Sequence, residues 1–275
     1  EPTPEPEPTP DSTPVPEDFP FDFTQTLADT EELGLSVTAL GLDANGNWVF
    51  HLSMENRSSD ILSLRFLYQS INGISVEPFK YRLAVGQALE REVRVYHEEL
   101  ETFGSSAPVE WAFTLKVNSA ERNIDPFLVE AMRVCPFGEE LAERYAYEPA
   151  DGDVRVRHND LATVYITGIS QDEEGFSLDY VAVNRSEHPL RLALDAEAGC
   201  RVNGSAVEAE LSDEFGSGTV TFGYIPFRGG VLADGNVELI RTLRFRLFLC
   251  DVLDEENREL DRAARVSLQP DYPLA

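Results

Sequence analysis

The stretches "ENRSSDIL" (residues 55–62) and "VNRSEHPL" (183–190) share one design, a polar Asn-Arg-Ser triplet set between the end of one alternating apolar run and the start of another. Before the first, Trp48, Phe50, Leu52 and Met54 alternate with Val49, His51, Ser53 and Glu55; before the second, Phe176, Leu178, Tyr180 and Ala182 hold the same positions. A period of two is that of a strand with one buried face. After each triplet comes a new strand, Leu62-Leu64-Phe66 or Leu190-Leu192-Leu194. The triplet therefore reads as a turn in which short Asn and Ser side chains cap backbone groups. The rival reading is a glycan on Asn56 and Asn184, because each heads an N-x-S sequon.

The echo extends along the chain as an internal duplication. Asn56 recurs at Asn184, an offset of 184 − 56 = 128, and "ING" ending at Gly73 recurs as "VNG" ending at Gly204, an offset of 131. "WAFTLKV" (111–117) matches "LRFRLFL" (243–249) at 132, and "AMRV" from Ala131 meets "AARV" from Ala263, also at 132. Trp111, Phe113, Leu115 and Val117 alternate as strand residues do, and so do Leu243, Phe245, Leu247 and Leu249. "ANGN" (44–47), Asn72-Gly73 and Asn203-Gly204 tolerate the positive φ of tight hairpin turns. Short strands separated by such turns predict an all-β chain of two tandem immunoglobulin-like antiparallel β-sandwich domains, 19–136 and 150–275, the second an internal repeat of the first. Helix is expected only as one turn in "HEELETFG" (97–104) and a short helix in "EELAERYAY" (139–147).

Residues 1–18, "EPTPEPEPTPDSTPVPED", alternate proline with acidic and small polar residues and hold one apolar side chain, Val15. Such a segment is expected to be a disordered, extended, solvated linker. The 22 Lys and Arg stand against 50 Asp and Glu, a formal net charge of −28. That field repels nucleic acid and anionic lipid surfaces, while a cation or an uncharged glycan stays compatible. Cys135, Cys200 and Cys250 form no CxxC pair and have no His at metal-ligand spacing, so neither a zinc site nor a disulfide scaffold is expected. No apolar run is long enough to span a bilayer. Because the chain starts at Glu1 without a Met or a signal peptide, its first residues are read as exposed by processing or by design of the expressed segment.

"HNDLATVYITGI", a turn, "FSLDYVAVNRSEHPLRL", "VNG" and "LRFRLFL" follow one another in the order of a known module, and "LGLSVTAL", "VFHLSMENRSSDILSL", "ING" and "WAFTLKV" follow it in the first copy. The series resembles the small immunoglobulin-like domains, often in tandem, of uncharacterised surface lipoproteins of gut-dwelling Firmicutes. The resemblance covers nearly everything after residue 18. It implies an extracellular protein anchored to the outer face of the cytoplasmic membrane of a Gram-positive bacterium by a lipid upstream of Glu1, with residues 1–18 as spacer. It supplies no catalytic or binding residues. His188-Pro189 and the Gly229-Gly230 loop depart from the usual pattern, at an edge of the second domain.

No catalytic motif surrounds His51, His97, His158 or His188, and no GxSxG, P-loop, HExxH or GxGxxG occurs. "LDANGN" (42–47) and "DVLDEENRELD" (251–261) cluster oxygen donors that would suit calcium; neither is an EF-hand, and solvated turns are preferred there. No cofactor or metal site is assigned. Aromatics interleaved with polar groups on an open sheet face would stack on a sugar or meet a protein, and Tyr96, Tyr165, Tyr224 and Phe227 are the candidates, each with core or edge filling as its alternative. The chain is thus read as a non-enzymatic surface protein for adhesion, ligand binding or structural presentation, with a protein or glycan partner. The rival class is an enzyme or accessory module acting on cell-envelope or dietary polysaccharide.

Overall fold

A computed structural model of the chain describes residues 23–120, 126–142, 144–172, 175–195, 197–232, 237–252 and 259–274, with backbone alone at 172 and 259–263. The linker expected over residues 1–18 lies outside the described residues, as does most of the acidic loop after Asp251. The chain divides into two compact units, residues 1–73 with 77–145, and residues 74–76 with 146–275.

In the first unit, β1 (Gln25–Asp29), β2 (Leu33–Leu42), β3 (Trp48–Asn56) and β4 (Leu62–Ile71) come first; the two-residue β5 (Ile74–Ser75) is counted with the second unit. Then follow β6 (Phe79–Leu83), β7 (Ala88–Val95), the short helix α1 (His97–Thr102), β8 (Trp111–Ser119) and β9 (Leu128–Val134). Antiparallel pairing joins them into two sheets, β1-β2-β3-β7 and β6-β4-β8-β9. The alternating positions of the sequence are the buried ones: Trp48, Phe50, Leu52 and Met54 from one sheet and Trp111, Phe113, Leu115 and Val117 from the other. Their rings meet, Phe50 lying 5.1 Å from Trp111, which lies 4.6 Å from Phe113.

The second unit contains β10 (Val154–His158), β11 (Ala162–Asp172), β12 (Gly175–Asn184), β13 (Leu190–Leu194), β14 (Cys200–Val202), β15 (Ser205–Ala209), β16 (Ser212–Phe215) and β17 (Val220–Arg228). It closes with β18 (Leu239–Ile240), β19 (Leu243–Asp251), β20 (Glu259–Leu268) and β21 (Tyr272–Pro273). One sheet runs β10-β11-β12-β17; the other runs β16-β13-β19-β20, with β14 also on β19; β15 pairs with both β14 and β17 and so joins the two, and β18 pairs with β21. Of the pairings described, the one at Ile74↔Val220 between β5 and β17 is parallel; the fold is all-β. A single apolar cluster draws on both sheets, with Phe176, Leu178, Tyr180 and Phe227 from one and Leu192, Phe245, Leu247 and Leu249 from the other.

Corresponding strand pairings recur in the two units, although the β18-β21 pair has no counterpart among the described residues of the first. Leu64 pairs with Val117 and Leu192 with Leu249; Phe50 pairs with Val93 and Leu178 with Ile225. Even the irregularities recur: the bulges at Thr26/Ala28 and Val37/Ala39 stand where Arg155/Arg157 and Ile166/Gly168 stand in the second unit, each 129 residues later (155 − 26, 166 − 37). One sequence landmark is displaced. Phe113 pairs with Met132, and Phe245 pairs with Val266, so β9 maps to β20 at an offset of 134 (266 − 132) and "AMRV" does not lie on "AARV". A two-residue slip keeps every side chain on its own face, so hydrophobic alternation cannot detect it.

The Asn-Arg-Ser echo is one turn used twice. Asn56 Nδ2 donates to the carbonyls of Asp60 (2.8 Å), Leu83 (3.1 Å) and Ala84 (2.9 Å), and its Oδ1 accepts from Ser58 N–H (2.9 Å) and Oγ–H (2.8 Å). Asn184 Nδ2 donates to His188 O (2.8 Å) and Gly216 O (2.8 Å), with Phe215 O at 3.5 Å, and its Oδ1 accepts from Ser186 N–H and Oγ–H, both at 2.8 Å. Both asparagines are buried, at 1% and 2% exposure. The nitrogen that would carry a glycan is inside the fold with both its hydrogens committed.

Asn72-Gly73 and Asn203-Gly204 likewise share a geometry, with φ of 50° and 81° in one and 50° and 87° in the other, the left-handed pair that a two-residue hairpin turn requires. Asn72 Oδ1 accepts from Glu110 N–H (3.0 Å), as Asn203 Oδ1 does from Arg241 and Thr242 N–H (2.8 and 3.0 Å). Only α1 and 3₁₀ turns at Glu139–Leu141 and Gly230–Leu232 interrupt the strands among the described residues. The helix expected over residues 139–147 is therefore reduced to that first turn. Its continuation has other bonds to make: Arg144 Nε reaches Glu110 Oε2 (2.8 Å), and Tyr145 N–H donates to Asn72 O (2.7 Å).

Candidate functional site

Strand alternation decides where the four candidate aromatics go. Phe227 lies on the inner face of β17, fully buried, its ring stacked on Phe176 at 4.9 Å and 7°. It is core and presents no stacking surface, which corrects its assignment as a ligand contact. Tyr96 caps the start of α1 in the first unit, 52% exposed, and borders an open cleft of about 940 Å³ that also takes in His51, Glu90, Glu92 and Arg94. Within that cleft Arg94 pairs with Glu92 at 3.0 Å, and it also reaches Asp43 at 3.7 Å.

Tyr165 and Tyr224 share one surface, the outer face of β11-β12-β17. Register sets two rows across it: Tyr165 opposite Val181 opposite Phe222, then Gly168 opposite Asp179 opposite Tyr224. Directly opposed residues of antiparallel strands point to the same side. Tyr147, from the segment before β10, leans over the first row with ring centroids 5.4 Å from Tyr165 and 6.2 Å from Phe222. Its hydroxyl is fixed by Asp153 Oδ2 at 2.5 Å. Beyond it Tyr224 stands free at 63% exposure beside Asp179. A Cβ on Gly168 would come within 2.8 Å of Asp179 Oδ2, so the glycine leaves the room that this carboxylate occupies.

The sheet under this face is braced from inside. Tyr180, directly opposite Gly223, is buried and donates its hydroxyl to Asp213 on β16 of the facing sheet. Burial, and then the hydrogen bond to Asp213, push its phenol far above the ordinary tyrosine range. Gly223 is needed for this arrangement: a Cβ there would sit 2.7 Å from the Tyr180 ring.

Phe222, Tyr147 and Asp179 were not among the candidates read from the sequence, although the duplication carried a usable signal. Structural equivalence places Glu90, Ser53 and Ser36 of the first unit where Phe222, Val181 and Tyr165 stand, and Glu92, His51 and Ala39 where Tyr224, Asp179 and Gly168 stand. At these six positions the first unit is polar or small where the second sets three aromatics, although Tyr96, Phe79 and Tyr81 border the cleft on the first unit's face.

Chemically this surface offers ring faces, a phenol and a carboxylate acceptor. His97 Nε2 meets the Glu101 carboxylate at 3.0 Å, and His158 Nδ1 meets the hydroxyl of buried Thr163 at 3.0 Å. No group of three metal-ligating side chains occurs among the described residues. The Asp43 carboxyl of the loop weighed for calcium accepts from the Asn47 side chain (3.1 Å) and from the Asn47 and Asn45 N–H groups (3.0 and 2.8 Å), which hold it below the usual carboxylate range. None of the three cysteines is in a disulfide, and burial raises the thiols of Cys135 and Cys200. No helix among the described residues is long and apolar enough to cross a membrane. No family model matches the chain, and no curated protein sequence matches it either.

Proposed function

We propose that this protein is a non-enzymatic, cell-surface glycan-binding protein built of two tandem immunoglobulin-like β-sandwiches, with its ligand face on the outer side of β11-β12-β17. The sandwich reading is supported by the two four-stranded sheets of the first unit and, in the second, by an apolar cluster drawn from both β10-β11-β12-β17 and β16-β13-β19-β20, which β15 links at one edge. The observation that carries the binding reading is the exchange of Glu90 and Glu92 for Phe222 and Tyr224 at equivalent outward positions. The fold does without aromatics there in the first unit, so exposing them in the second serves something other than folding.

A pyranose ring has an apolar face that stacks on Tyr224 and hydroxyls that donate to Asp179; being uncharged, it is indifferent to the net charge of −28. The resemblance to surface lipoproteins supports an extracellular setting on a Gram-positive cell, with residues 1–18 as spacer. A glycan array probed with the full chain, followed by titration of the best neutral oligosaccharide, tests the reading. Y224A is expected to weaken binding at least tenfold with an unchanged melting temperature. Failure of every neutral glycan to bind, capture of a protein alone, or a Y224A chain that binds like the parent would overturn it.

A further inference from the structure

The outer face of the other sheet of the second unit carries a different anomaly, four arginines on adjoining strands. Arg201 on β14 is directly opposite Arg244 on β19, and Arg246 on β19 is directly opposite Arg265 on β20. Their neighbours Val202, Phe245, Leu247 and Val266 fill the core, so alternation turns all four guanidinium groups outward, and they line one open cleft of about 490 Å³ together with Ser267. Like charges directly opposed across strands destabilise a sheet. In a chain of net charge −28, where carboxylates outnumber basic side chains 50 to 22, a neutral or acidic lining would be the default.

Partners within the chain account for little of this charge. Arg246 Nη1 lies 3.6 Å from Asp195 Oδ2, and Arg201 Nη1 donates to Gly204 O at 2.9 Å. Among the described residues no ion pair engages Arg244 or Arg265. The duplication again supplies the comparison. Buried Ser70 opposite Ala112 and Thr114 opposite Ala131 are the equivalents in the first unit, so these four positions are small and neutral there, while the same face carries Lys80, Arg65 and Lys116 in one row and Arg133 opposite Ala112. The strand pairing does not need the arginines.

We infer that this arginine cleft is an oxyanion site that takes a small ligand carrying a phosphate or sulfate group. Guanidinium forks hold tetrahedral oxyanions through paired N–H donors, and four of them around one cleft offer far more donors than Asp195 and Gly204 consume. The acidic field of the whole molecule opposes extended polyanions, whose many charges it would repel, and bears least on a compact group set among the arginines. The ligand of this face is thus distinct from the neutral glycan proposed for the opposite one.

The test is calorimetric titration of the full chain with inorganic phosphate and, separately, inorganic sulfate, at ionic strength fixed with sodium chloride. One saturable site is expected for at least one of the two anions, and which of them binds tells phosphate-bearing from sulfate-bearing ligands. Replacing the arginines by the residues of the first unit, R201S, R244A, R246T and R265A, is expected to weaken binding at least tenfold and to leave the melting temperature without anion unchanged or higher, since like-charge opposition is relieved. Absence of a saturable site for both anions, or equal binding by the fourfold variant, overturns the inference. If that variant fails to fold, the single variant R244A decides by the same criterion.

Discussion

Replacing Asn184 by alanine tests the idea that a buried side-chain amide, used twice, is what closes each unit at its Asn-Arg-Ser turn. The substitution leaves the carbonyls of His188 and Gly216 without the donor that now lies 2.8 Å from each, and it removes the acceptor of Ser186 N–H and Oγ–H. The two serine donors lie toward solvent and can be rehydrated; Gly216 O is reached by a buried bond and cannot be without opening the loop before β17. An unsatisfied buried carbonyl costs about 1–3 kcal/mol, so the two together, one of them partly rehydrated, amount to roughly 3 kcal/mol. Domains of this size have about 5–15 kcal/mol in total. With a urea m-value of about 1–3 kcal/mol/M, the unfolding midpoint followed by circular dichroism should fall by about 1–3 M. N56A should lower stability by a similar amount, because Asn56 makes the same bonds, and there Trp48 and Trp111, the chain's two tryptophans, report the loss by fluorescence. S186A, which removes one hydroxyl while sparing the amide donors, should cost only about 1 kcal/mol. An N184A midpoint indistinguishable from the parent's, or a hexose ladder on either asparagine in protein from its native host, would refute the reasoning.

The Tyr180 phenol is held above its unfolded value, so its contribution to stability is complete below about pH 10 and is lost as pH rises from there toward the folded value. Melting curves between pH 8 and 11 should show an alkaline loss that is smaller in Y180F, and equal losses would contradict the assignment. G223A should destabilise the second unit by about 1–3 kcal/mol in urea unfolding, because the Tyr180 ring 2.7 Å from the new methyl group would have to leave Asp213. Glu110 is fully buried while its partners Arg133 and Arg144 are 48% and 38% exposed and can return to water. E110Q should therefore cost about 1–3 kcal/mol, short of the penalty for stranding a buried charge, and should speed amide exchange at Tyr145; exchange unchanged there would show that the Glu110–Arg144 contact does not hold the segment.

Strand positions were legible wherever burial imposed a period of two. Phe50, Leu178, Phe113 and Leu247 lie inward because a residue skipped in either direction would expose an apolar row. Turn residues were legible for a local reason: Asn72 and Asn203 adopt a positive φ that few residues tolerate. What escaped the sequence is what depends on pairs far apart in it. The two-residue shift between β9 and β20 changes no face. The helix expected over 139–147 lost to bonds with Glu110 and Asn72, both remote in the chain. Phe227 and Tyr224 are three residues apart on β17 and so lie on opposite faces, yet as isolated aromatics in "GYIPF" they look alike; only the register with Phe176 and Asp179 separates core from surface.

Duplication turns that limit into a source of inference. Two copies of one fold share the residues that folding demands, namely the Asn56/Asn184 amide, the Asn-Gly turns and the inward rows, and are free to differ elsewhere. At the outer face of β11-β12-β17 the second copy replaced Ser36, Glu90 and Glu92 with Tyr165, Phe222 and Tyr224, and at the outer face of β14-β19-β20 it replaced Ser70, Ala112, Thr114 and Ala131 with four arginines. Both changes run against the local physics, one exposing apolar rings to water and the other opposing like charges. Like-charge opposition occurs in both copies, since the first sets Lys80, Arg65 and Lys116 side by side, but drift confined by stability alone has no reason to expose aromatic rings at positions that stay polar in the other. Recognition by the second copy does, and it follows that grafting Glu90 and Glu92 onto positions 222 and 224 should remove glycan binding while leaving the unit at least as stable as before.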